Sequence, residues 1–260
     1  MNKWLSHFFL LFFYFIDLFN EIIYTKSMRI NKYIASRGIA SRRKADDLIE
    51  KGKVKINGKV VTTLGYDVKE TDKVEINNEI LNKEEKLVYF MINKPKGVIC
   101  SNSDEKGRKT VIDLINTPYR IYSVGRLDYE SEGLLLLTND GELSYKLTHP
   151  KMQIEKTYIV NIKGTILESE LAVLRNGVKI NGVKYNKCKI KVLNTSKDST
   201  KLEIKLNEGK NREIRNMLKF INKEITMLKR LKIAELTLTG LNRGEYRELF
   251  PYEVEYLKNL

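Results

Sequence analysis

The sequence predicts an α+β chain, with a small helix-helix-hairpin domain followed by a larger domain on a mixed, largely antiparallel sheet. Three observations predict it. Residues 28–60 carry two short apolar-periodic segments and then two strand-like runs either side of Asn57-Gly58. From residue 88 onward, apolar runs of strand length follow one another, several with no helix between them, which favours antiparallel pairing over a doubly wound sheet. The apolar content of 42% over 260 residues is enough to bury a sizeable core.

Residues 1–27 hold HFFLLFFYFI, then Asp17, then LFNEII. This stretch is too short and too interrupted for the roughly 20 apolar residues that span a bilayer, and it lacks a small-residue cleavage site. It reads as a leader outside the folded protein, with translation starting at Met28. An organelle-targeting leader is the alternative, and a membrane partner is disfavoured. Next, Ile30, Tyr33 and Ile34 make a short apolar face that Gly38 ends. Ser41 then stands as N-cap of SRRKADDLIEKG, with Ala45, Leu48 and Ile49 on one face and Gly52 as the stop. The runs KVKI and KVV flank Asn57-Gly58, the dipeptide of a type I′ hairpin.

The polar segment NNEILNKEEKL, residues 77–87, shows no strand alternation and marks the junction. The domains are therefore expected at 28–80 and 88–260, with 81–87 as linker. In the second, the strands are VYFMINK, IYSVGRL, LLLLTND, KTYIVNIKG, KCKIKVLN, TKLEIKL, ITMLKRLKI and ELTL, and helices lie around 141–148, 167–176 and 211–221.

Lys and Arg total 47 against 33 Asp and Glu, a formal net charge of +14, and the first 27 residues add nothing because Lys3 and Lys26 cancel Asp17 and Glu21. Such a balance points to a polyanionic partner, nucleic acid first. The two cysteines, Cys100 and Cys188, match no metal-ligand spacing and suit a reducing, cytoplasmic compartment. Beyond the leader the only histidine is His149, which weighs against Ser-His-Asp or Cys-His hydrolysis and against a histidine metal site. No Gly-Lys pair is followed by Ser or Thr in a phosphate loop and no G-x-G-x-x-G occurs, so neither metal nor nucleotide cofactor is indicated.

Four motifs stand in the second domain: Lys94-Pro95-Lys96-Gly97, Gly125-Arg126-Leu127-Asp128, Glu155-Lys156-Thr157-Tyr158, and the run from Glu208 to Arg215, EGKNREIR. In this order they resemble the RsuA/RluB-type pseudouridine synthases, which isomerise uridine to pseudouridine in ribosomal RNA. The helix-helix-hairpin segment, with SRRKA and GKVKINGK, resembles the ribosomal-S4-like RNA-binding domain. Together the two resemblances cover nearly all of 28–260 and look closest to the RluB branch.

The resemblance implies that Asp128 is the catalytic carboxylate beside C1′, that Arg215 pairs with it, and that Tyr158 packs against the target base and handles a proton. Ile214 matches the apolar residue beneath the base, and Arg126 the arginine that enters the space a flipped-out nucleotide leaves. By residue type alone Asp128 suits a turn or cap, Tyr158 and Ile214 suit the core, and Arg215 suits a surface charge. Lys210, Arg212 and Arg108 are candidate phosphate contacts, as are Arg42, Arg43 and Lys44 at a helix N-terminus, with Lys51 and Lys53 nearby. Asn216 stands where the family often has a second basic residue, and Asn222 where a glycine commonly ends that helix.

The expected activity is cofactor-free and cytoplasmic, by a monomer acting on large-subunit ribosomal RNA, naked or in a partly assembled subunit. A small-subunit target and a non-catalytic RNA-binding assembly factor are the alternatives.

Overall fold

The computed structural model describes residues 27–81 and 85–260, and the chain divides into two units, Met1–Glu85 and Lys86–Leu260. The expected leader lies outside the described residues apart from Ser27.

In the first unit, β1 (Met28–Arg29) leads into α1 (Ile30–Ser36) and α2 (Arg42–Glu50). The Ser41 side chain accepts from the Lys44 amide at 3.2 Å, closing the N-terminus of α2, and Gly52 takes φ +65° just past its end. A four-stranded sheet follows in the order β3-β2-β5-β6, from β2 (Val54–Ile56), β3 (Lys59–Val60), β5 (Val74–Ile76) and β6 (Glu79–Ile80), while β4 (Asp67–Val68) pairs with β1. Asn57 and Gly58 both have positive φ, 51° and 78°, as a type I′ turn requires. Ile30, Ile34, Ala45, Ile49, Val54 and Val74 form its core. Residues 77–80, read from sequence as junction, instead turn at Asn77-Asn78 and pair as β6; both asparagines tolerate the left-handed φ that the turn needs.

The second unit is built on a nine-stranded sheet in the order β13-β14-β10-β15-β9-β7-β17, with β8 beside β9 and β16 beside β15. The strands are β7 (Tyr89–Lys94), β8 (Tyr122–Val124), β9 (Glu132–Thr138), β10 (Lys156–Lys163), β13 (Lys189–Thr195), β14 (Ser199–Leu206), β15 (Ile225–Ile233), β16 (Leu236–Thr237) and β17 (Tyr246–Glu248). A separate hairpin joins β11 (Val178–Ile180) to β12 (Val183–Tyr185). The helices are α3 (Gly141–Thr148), α4 (Glu168–Arg175), α5 (Glu213–Phe220) and α6 (Pro251–Asn259).

Within the nine-stranded sheet all described pairings are antiparallel except β9 with β15. Both faces are covered, which explains the uninterrupted Leu134–Leu137 run: Leu135 and Leu137 enter the core beneath α4 and α5, Leu134 and Leu136 the core beneath α3 and α6. At the parallel seam Gly133, φ +112°, faces Arg230, and a Cβ there would lie 2.2 Å from the Arg230 carbonyl oxygen. Only glycine permits that approach.

Candidate active site

Four parts of the second unit converge on one cavity of ≈ 250 Å³. They are the turn 125–131 between β8 and β9, the end of α3 with residues 149–150 after it, the adjoining strands β10 and β15, and the loop 207–212 with the first turn of α5.

The turn is set by what lies behind it. Lys94 is fully buried at the end of β7, and its ammonium donates to the carbonyls of Pro95 (3.0 Å), Asp128 (3.2 Å) and Ser131 (2.9 Å). Burial pushes its pKa below the usual lysine value, opposed by the nearby Cys100, Asp128, Glu130 and Glu132. The Gly97 amide donates to Tyr129 O at 2.9 Å, and the Leu127 amide to the Cys100 sulfur at 3.3 Å. The K-P-x-G and G-R-L-D motifs are thus one structure: the first supplies the donors that hold the carbonyls of the second.

Asp128 faces the cavity. Arg215, from α5, donates through Nε to Asp128 Oδ2 at 3.1 Å and through Nη2 to Ser131 Oγ at 3.0 Å. Ser131 is itself buried, so the guanidinium is fixed at two points and holds the carboxylate in one orientation. Arg212 adds a second cation, its Nη1 standing 3.7 Å from the same oxygen, while remaining half exposed. Placed among the phosphate contacts by sequence, Arg212 also neighbours the carboxylate.

Tyr158 and Ile214 supply the apolar wall. Both are buried and line the cavity, Tyr158 from β10 and Ile214 from α5. Arg126 is exposed at its rim. Lys210 also lines it, though its ammonium already meets Glu208 at 2.7 Å and the Lys184 carbonyl at 2.5 Å. Arg108 does not line it; Asp104 holds it at 2.7 Å in the loop after β7. Arg42, Arg43, Lys44, Lys51 and Lys53 belong to the first unit, all exposed.

Both departures in the fourth motif have physical replacements. Asn216 donates to the Tyr185 hydroxyl at 2.9 Å and the Asn211 carbonyl at 3.2 Å. Asn222 takes φ +58°, and amides 222 and 223 close the end of α5 onto the Lys219 and Leu218 carbonyls, as a glycine would allow.

Several residues about the cavity went unread in the sequence. Glu213 is buried, and burial together with the neighbouring Glu208 carboxyl pushes its pKa up to about 7. Its Oε2 accepts from the Lys210 amide at 2.9 Å, its Oε1 is buried without a partner, and its protonated form is favoured by a hydrogen bond with the Glu208 side chain. Lys156, on the cavity-lining side of β10, is brought down to about 8 by burial and by Arg230. The Arg230 side chain is buried in the same cavity. Composition gives no signal for buried cations, because Lys and Arg ordinarily read as surface. Lys94, Lys156 and Glu213 do stand inside the quoted motifs; Ser131 and Arg230 had no signal.

Comparison with known proteins agrees with this geometry. Residues 88–220 match the RNA pseudouridylate synthase family and residues 28–74 the S4 domain. Ribosomal large subunit pseudouridine synthase B of Bacillus subtilis (strain 168) is 47% identical over 235 residues, covering 89% of this chain and 96% of that protein. Dual-specificity RNA pseudouridine synthase RluF of Escherichia coli (strain K12) is 37% identical over 225 residues, covering 86% of this chain and 76% of that protein. A solved pseudouridylate synthase crystal structure superposes with a TM-score of 0.65 at 31% identity, over 89% of this chain and 100% of the other. With the motifs assembled about one cavity and the match extending through both units, this chain belongs to the RNA pseudouridylate synthase family and carries an N-terminal S4 domain.

Proposed function

We propose that the protein isomerises a uridine to pseudouridine in ribosomal RNA of the large subunit, in the cytoplasm and without a cofactor, with Asp128 acting at C1′. The observation that carries the reading is the Asp128 carboxylate held by Arg215 at 3.1 Å at the edge of a cavity with an apolar wall. The large-subunit target is supported by the 47% identity to the Bacillus subtilis protein, whose name specifies that subunit.

The reaction breaks the N1–C1′ bond, turns the uracil within the site and rejoins it through C5, releasing the C5 hydrogen. A carboxylate at C1′ assists the break, and a fixed arginine keeps it in line. Tyr158 and Ile214 flank the base while it turns. A stacked uridine cannot reach this cavity, so the nucleotide is flipped out at a cost of a few kcal/mol, and Arg126 at the rim is placed to fill the gap. The exposed cations of the S4 domain hold phosphates without reading sequence.

Tritium release from ribosomal RNA labelled at uracil C5 tests the reading. Release by the wild type and none by Asp128→Asn is the expected outcome. No release by either protein, on naked RNA or on subunit precursors, would leave an RNA-binding assembly factor.

A further inference from the structure

Two cations in the cavity have no part in the pairing of Asp128. Arg230 on β15 is 3% exposed; its Nε donates to the Leu134 carbonyl at 2.7 Å, while its Nη2 is buried and meets no acceptor among the described residues. An unpartnered buried charged donor is destabilising. Lys156 commits one ammonium proton to the Ile154 carbonyl at 2.9 Å, which leaves two. Burial and the positive charge of Arg230 both disfavour the charged form of Lys156, against the Glu213 carboxyl, which favours it. Lys156 lies two positions from Tyr158 along β10, and Tyr158 stands opposite Arg230 across the β10–β15 ladder, so the pair flanks the aromatic wall.

Two cations lining one cavity are costly for the free protein, and the Glu213 carboxyl that also faces Lys156 offsets only part of that cost, since burial and Arg230 still lower the lysine pKa. They become favourable when acceptors or negative charge arrive. Uracil brings both. Its O2 and O4 are acceptors, and when the N1–C1′ bond breaks, the bonding electron pair leaves with the base and spreads over N1, O2 and O4. Resting on the uridine-isomerising reading, we propose that Lys156 and Arg230 bind the carbonyl oxygens of the flipped uracil and stabilise the negative charge it carries once detached from C1′. The charge disappears again when C5 bonds to C1′, the C5 proton leaves and N1 is protonated. Lys156 and Arg230 therefore contribute to the detached state more than to the bound substrate, which is where a rate effect originates. The same donors select against cytosine, whose 4-amino group presents hydrogens where uracil presents O4.

The test uses the full chain, with Lys156→Met and Lys156→Arg, and reads single-turnover C5 tritium release alongside ribosomal RNA affinity and the thermal midpoint. Expected is a loss of about 10²–10³-fold in rate for Lys156→Met, with affinity within threefold of wild type, and retention of the rate within tenfold for Lys156→Arg. Should Lys156→Met fail to fold, Lys156→Gln takes its place under the same criteria. A neutral variant with wild-type rate, or one whose affinity falls as much as its rate, overturns the assignment. Failure of the wider reading looks different: the wild type itself then releases no tritium.

Discussion

The ammonium of Lys94 lies 3.2 Å from the backbone carbonyl of Asp128, so a buried cation holds in place the main chain of the residue whose side chain faces the cavity. Lys94 touches no substrate position, yet it ties together Pro95, Asp128 and Ser131. Lys94→Met is expected to leave one buried and two partly buried carbonyls without this donor, to destabilise by on the order of 3 kcal/mol, and to lower the rate of tritium release more than RNA affinity. Denaturant unfolding and single-turnover kinetics on one preparation check both.

Arg215 grips Asp128 and Ser131 with separate nitrogens. Lysine keeps the charge but cannot hold both at once. Arg215→Lys is expected to lose about 10²-fold in rate with little change in RNA affinity, measured by the same assay.

Gly133 has the Arg230 backbone where its side chain would be. Gly133→Ala is expected to destabilise by about 3 kcal/mol or more, from overlap and from a strained φ of +112°. Urea unfolding of the full chain measures it; a loss below about 1 kcal/mol contradicts so close a seam.

Two groups lining the cavity, the buried Glu213 and the half-buried Lys156, titrate near neutrality. Glu213, raised from 4.5 to about 7, contributes stability that is fully present below about pH 4.5 and is lost as pH rises through 7. The groups facing it are Glu208, Lys210, Lys156 and Cys188. Glu213→Gln, which stays neutral, should show a smaller fall in thermal midpoint between pH 5.5 and 8 than the wild type. Lys156, lowered from 10.5 to about 8 and faced by Arg230 and Glu213, loses its charge as pH passes 8, so tritium release should decline above that pH.

Arg42, Arg43 and Lys44 are exposed at the start of α2. If each meets one phosphate, replacing all three with glutamine is expected to flatten the slope of log affinity against log salt by about 2–3. The cleavage chemistry at bound uridine should be unchanged, since none of them lines the cavity.

Much of the fold was legible because the elements obey local rules. Ser41 caps, Gly52 stops, and Asn57-Gly58 turns, as their side chains and backbones dictate. The β11–β12 hairpin went unread although Asn181-Gly182 carries the same turn signal, with φ of 48° and 82°; its strands are only three residues each, and Tyr185 alone among them is buried. Strand β17, Tyr246–Glu248, has no apolar alternation, and α6 announces itself only by Pro251 at its first position and by the buried Leu257. Asp128, Arg215 and Tyr158 could be placed through motifs. The buried cations could not be told from surface lysines and arginines, because what makes them special is a neighbour far away in the chain: 96 positions separate Arg230 from the Leu134 carbonyl it donates to.

The parallel seam between β9 and β15 has a kinetic side. On one flank lie strands β7, β8, β9 and β17, on the other β10, β13, β14, β15 and β16, and among the described residues β9–β15 is the one strand pairing that joins the two blocks. Asp128 enters with the first block and Arg215 with the second, 87 residues later. Strands β7, β8 and β9 pair over short separations, as do β13 and β14, but the seam joins Glu132 to Lys229, 97 positions apart, and β17 returns to β7 over 154, so both pairings wait for the later part of the chain. A nascent chain therefore carries its carboxylate without its arginine until the molecule is whole, and activity reports complete folding rather than the presence of either half.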